Sequence, residues 1–98
     1  MSAWEALEAL AAEEAQLVAD ERFGDLAELN ARRAGLLAAL PDPLPVVAAE
    51  PLRRALSTQR ATATVLQARC DALVAELGRL NRGRTGVQGY ARTFEAQR

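Results

Sequence analysis

The chain has no histidine, no lysine and no isoleucine, and a single cysteine, Cys70, among its 98 residues. Without histidine or a cysteine cluster, the ligands of an ordinary zinc or transition-metal site are missing. Carboxylates are the only conventional proton-transfer groups left, and Ser2 and Ser57 have no partner base to activate them as nucleophiles. The glycines near the end follow a helical pattern instead of opening one, so no phosphate-binding loop is formed. No enzymatic activity, cofactor or metal is therefore expected. A lone cysteine makes no intrachain disulfide, which fits a reducing compartment. No apolar run approaches the length of a membrane span, and the first residues carry Glu5, Glu8, Glu13 and Glu14 with no basic lead. Neither membrane insertion nor a signal peptide is expected, and the expected location is cytoplasmic.

What the chain does have is alanine and leucine. Half of its residues are hydrophobic while only 4% are aromatic, the composition of a helical bundle in one domain spanning residues 1–98. All twelve basic residues are arginine, but the formal net charge of −1 supplies no basic field for nucleic acid. The charge is uneven. Residues 1–50 carry ten acids against Arg22, Arg32 and Arg33, and residues 51–98 carry nine arginines against Asp71, Glu76 and Glu95. Halves of opposite sign suit the facing flanks of an antiparallel hairpin.

The strongest pattern lies in the second half. Leu52, Leu56, Gln59, Ala63, Leu66, Cys70, Leu73, Leu77 and Leu80 step by four and three residues without a slip, a heptad seam with one polar member, Gln59. At about 1.5 Å per residue the seam spans on the order of 45 Å, too long for crossing helices in so small a chain. Another element has to lie along it.

The first half supplies one. Ser2-Ala3-Trp4-Glu5 has the spacing of a capping box and starts helix one at about residue 3. At Phe23-Gly24-Asp25 the pattern stumbles, by a kink or a break; the resumption of an alanine-rich pattern favours a kink near 24 in one helix of about 3–40. Leu26, Leu29, Arg33, Leu36 and Leu40 continue the seam, and Pro41, Pro43 and Pro45 end it in a connector of 41–50. Pro51 suits the first turn of helix two, about 51–82, which Asn81-Arg82-Gly83 would close. The expected fold is all-α: an antiparallel hairpin of two long helices, or small helical bundle, with a tail of 83–98 that is flexible and carries a short helical segment at Tyr90 to Phe94. In the matching register Leu40 lies by Leu52, Leu36 by Leu56, Arg33 by Gln59, Leu29 by Ala63 and Leu26 by Leu66, so the two polar seam residues meet.

Two helices cannot bury all of this apolar surface between themselves. Trp4, Leu7, Leu10 and Leu17 on helix one and Leu73, Val74, Leu77 and Leu80 on helix two are left over at the open end, with Tyr90 and Phe94 of the tail able to rest on them. Such a surface is usually an interaction site. The acid pairs Glu13-Glu14 and Asp20-Glu21 read as a solvated helix face.

Trp4 on an opening helix, Arg22-Phe23-Gly24-Asp25-Leu26, Leu29 with Arg32-Arg33 and Leu36-Leu37, the proline-bearing connector, Leu66, Arg69, Leu73 and Leu77 on the long helix, and the late Tyr90 together resemble the FliT family of flagellar type III export chaperones, with the FlgN family second. The resemblance covers nearly the whole chain. It implies a small cytoplasmic helical bundle that holds an export substrate before secretion, the C-terminal segment of the filament-cap protein for FliT or of a hook-filament junction protein for FlgN. It also implies a C-terminal segment that can fold over the binding surface. A structural coiled-coil or adaptor subunit that homodimerises through the same apolar surface is the alternative.

Overall fold

Local chemistry sets the first helix. In the computed structural model, which describes the backbone of residues 1–96 and the side chains of residues 1–83, α1 runs Ala3–Ala19 and is capped by Ser2. The Ser2 hydroxyl accepts from the Glu5 N–H at 3.3 Å, and the Glu5 carboxylate accepts from the Ser2 N–H at 3.4 Å and from the hydroxyl at 2.7 Å. This is the reciprocal box expected from the spacing.

The end of α1 corrects the expected helix of 3–40. Glu21 adopts a left-handed backbone with φ 59°, its N–H bonds to the Val18 carbonyl at 3.1 Å, and the Arg22 N–H reaches back to the Leu17 carbonyl at 2.8 Å. Those two bonds form a Schellman stop, which satisfies the last carbonyls and turns the chain. A single 3-10 turn, Phe23–Asp25, then leads into α2, Leu26–Ala38. The chain is broken, not kinked. The left-handed position is Glu21, three residues before the glycine that drew attention in the sequence, and no glycine among the described residues has a positive φ.

After that turn α2 runs back along α1. Leu17, Glu13 and Leu10 meet Leu29, Arg32 and Leu36 in reverse order. Leu10, Leu17 and Leu29 form the core, with Leu26 and Leu36 packed against it. The seam of α2 therefore packs on α1, correcting the expected partners Leu66, Ala63 and Leu56 on the long helix. The physical reason is the stop at Glu21: a short hairpin buries both leucine ridges against each other, which a continuous helix could not do.

Beyond α2 the prolines act as expected. The chain passes through the connector to a 3-10 turn, Val46–Ala48, and α3 begins at Ala49 with Pro51 in its first turn. Its far end is a second correction. α3 runs Ala49–Ala96, through the expected stop at 82 and through the expected flexible tail from 83. Gly83 in a helix interior costs only about 1 kcal/mol, and no proline follows Pro51 to force an end.

The chain divides into two compact units, Met1–Leu66 and Gln67–Arg98. In the first, a buried stripe of small residues starts at Ala48 in the 3-10 turn and continues through Ala55 and Thr62 of α3, with Leu52, Thr58, Gln59 and Leu66 half-buried beside it. The stripe lies one residue earlier than the leucine seam, because alanine and threonine allow a closer approach than leucine. Leu56 of that seam is 46% exposed. In the second unit, Gln67 to Gly83 are exposed apart from the half-buried Arg69 and Gly78. Among the described residues there is no strand, as the all-α expectation requires.

Candidate protein-binding face

Leu73, Val74, Leu77 and Leu80 are 64%, 68%, 59% and 52% exposed. Their spacing of one, three or four residues stacks them on one side of α3, with the exposed Cys70 continuing the strip one turn earlier. Ala68, Ala72, Ala75 and Arg79 fall on other sides of the same turns, which keeps the strip narrow and the helix well supported by propensity. Covering a half-exposed leucine or valine is worth about 1 kcal/mol, so each member of the strip has apolar surface whose burial would be favourable.

The other side chains proposed from the sequence part ways. Leu7, Leu10 and Leu17 are only 6%, 2% and 8% exposed; they are core, and the surplus surface expected on helix one is corrected accordingly, since α2 folds back over it. Trp4 is half-buried. Tyr90 and Phe94 fall within the backbone span of α3, and their side chains lie outside the described ones. Apolar surface that sequence reasoning did not single out appears in the connector, where Leu44, Val46 and Val47 are exposed, and at Leu37 and Leu56, which with Leu7, Ala11, Arg33, Leu52, Ala55 and Gln59 line a cavity of about 190 Å³.

Polar contacts fix the first unit. Glu14, read as solvated, is buried and accepts from Arg33 at 2.6 Å, the two side chains being 10% and 15% exposed. Arg33 also donates to Asn30 at 3.0 Å. Arg33 and Gln59 line the same cavity, but the partner of the Arg33 charge is Glu14. Nearby, Arg32 grips Glu13 with two bonds of 3.2 Å, beside a polar cleft of about 310 Å³ whose other charges include an Arg22–Asp25 pair at 2.8 Å. Glu8 pairs with Arg54 across to α3, realising part of the charge match between the halves. The Arg54 hydrogen bond holds the Glu8 carboxyl below its ordinary value, and raises Arg54 in return. Glu5 is lowered by its bonds to Ser2.

Fold and face define an all-α protein that presents an apolar strip on a long helix, the geometry used to take up a partner helix. No helix among the described residues is long and apolar enough to cross a membrane. The family model described as flagellar protein FliT matches residues 1–92, and the chain belongs to that family, the FliT-type flagellar export chaperones. A chaperone family implies a protein partner. No curated protein and no solved structure matches the chain.

Proposed function

We propose that the chain is a cytoplasmic chaperone of flagellar type III export that holds the C-terminal segment of the filament-cap protein, as an amphipathic helix laid along Leu73, Val74, Leu77 and Leu80, until secretion. The observation that carries this reading is the exposure of these four side chains, between 52% and 68%, on one side of α3. Helix-in-groove and helix-on-helix recognition use such anchors at spacings of three and four residues. Leu7, Leu10 and Leu17 belong to the buried interior of the first unit and are left out of this strip.

The test is capture of the cap protein's C-terminal segment by the purified chain. Leu73→Asp with Leu77→Asp should weaken capture at least about 100-fold, because two apolar anchors are lost and two charges must be desolvated. Both positions are exposed, so the far-ultraviolet circular dichroism of the variant should match that of the parent. Undiminished capture by the variant would overturn the reading. Capture of a junction protein's segment but not the cap segment would keep the strip and replace the substrate.

A further inference from the structure

Ala6, Ala9, Glu13, Gln16 and Asp20 step by three and four residues along α1 and its cap, and Asp25, Glu28, Arg32 and Gly35 do the same from the 3-10 turn into α2. Between these two rows lies a groove with two clefts. Ala6, Ala9, Leu10, Gly35 and Leu36 line the first, an apolar space of about 380 Å³, with Glu13 and Arg32 at its edge. The same Glu13 and Arg32 line the second, the polar cleft of about 310 Å³ with Leu17 and Leu29 in its wall. Leu7, Ala11, Arg33 and Leu37, which share a cavity with Leu52 and Ala55 of α3, line neither cleft.

The two ends differ in charge. Six charged side chains line the polar cleft, and four of them cancel, because Arg32 holds Glu13 and Arg22 holds Asp25. Asp20 takes its hydrogen bond from the neutral Gln16 amide at 3.0 Å, and Glu28 has no ion-pair partner among the described residues. Two negative charges are left over. The apolar end has room instead: a methyl group added at Gly35 would meet nothing within 4 Å. Ala9 and Gln16, one in each cleft, are seven residues apart on α1, a rise of about 10 Å. A ligand that fills both ends must therefore carry an apolar group and a cation at that separation. Two turns of a helix provide it, since side chains seven residues apart share one face.

We propose that the α1–α2 groove is a second docking surface, which takes a basic amphipathic helix of another protein. An apolar side chain of that helix seats over Ala6, Ala9 and Gly35, and two turns further an arginine or lysine meets Asp20 and Glu28. The leftover charge selects the partner, because an acidic helix would bring like charges together. No residue of this groove belongs to the strip assigned to the export substrate, so the two surfaces stand or fall separately.

The probe is a labelled synthetic helix with two leucines one turn apart and two arginines two turns further along the same face, titrated with the purified chain by fluorescence anisotropy. Saturable binding below about 1 mM is expected, and a peptide with glutamates for the arginines should bind at least about tenfold more weakly. Gly35→Leu, at an exposed helical position where leucine is the better helix former, should fill the apolar cleft and weaken binding about tenfold without loss of fold. Asp20→Asn with Glu28→Gln should remove the preference for arginine over glutamate. No binding up to about 1 mM, equal binding of the two peptides, or indifference to both groove variants would each overturn the proposal. So would binding that survives both but is lost in Leu73→Asp with Leu77→Asp, which would put the peptide on α3.

Discussion

Glu21 holds the left-handed position that ends α1, and it does so without being glycine. A side chain in that region costs about 1 kcal/mol, which glycine would not incur. Glu21→Gly is therefore expected to raise stability by about 1 kcal/mol in urea denaturation, while Gly24→Ala, with nothing within 4 Å of the added methyl group, should leave the turn intact. At Glu14 the balance runs the other way. Glu14→Ala strands the Arg33 guanidinium in a site where it is only 15% exposed, so a loss of about 2–3 kcal/mol is expected. Replacing Glu14 by Met together with Arg33 by Leu should recover most of that loss, because a packed apolar pair can replace a buried ionic one. Glu8 gives the pH dependence. Its carboxyl lies below the ordinary glutamate value of 4.5 in the folded chain, so its contribution is present above that value and is lost as pH falls through the lowered one. Glu8→Gln should flatten the acid limb of the stability curve below about pH 4.5, measured by thermal melting at stepped pH.

At the scale of elements, the sequence showed clearly where helices start and where prolines end them. Ser2 with Glu5, Pro41 to Pro45 and Pro51 each act through their own few backbone atoms, so their effects are legible without the rest of the fold. Two things were hidden. The stop at Glu21 depends on hydrogen bonds to Leu17 and Val18 that no residue type announces. The inward face of α3 was hidden for a different reason: leucines advertise a seam, but the packed residues are Ala55 and Thr62, in line with Ala48 of the turn before, chosen by how closely backbones approach. A pair of substitutions separates the two faces. Ala55→Leu should destabilise by about 1–3 kcal/mol through overpacking, whereas Leu56→Ala, at a position 46% exposed, should cost about 1 kcal/mol. Chemical denaturation of both variants measures the difference. Three residues of the expected binding surface were misjudged on the same account, since Leu7, Leu10 and Leu17 look surplus only while helix one is taken as unbroken.

For the whole molecule, the described side chains divide into a first unit that holds the core and a second whose apolar residues face solvent. That contrast could be read in the sequence only as a surplus of leucine; which leucines were surplus needed the fold. Its consequence concerns time. A bare helical segment is marginal in water, because its hydrogen bonds barely outweigh the entropy of holding it, so the turns around Leu73 to Leu80 owe much of their persistence to whatever lies on them. Amide protons there should exchange with solvent deuterium far faster than those of Leu10, Val18 and Leu29, and should slow once the strip is covered. Under the proposed function, the exchange of those few amides is thus a clock for occupancy, expected to run fast when the strip is bare and to slow while a partner lies on it.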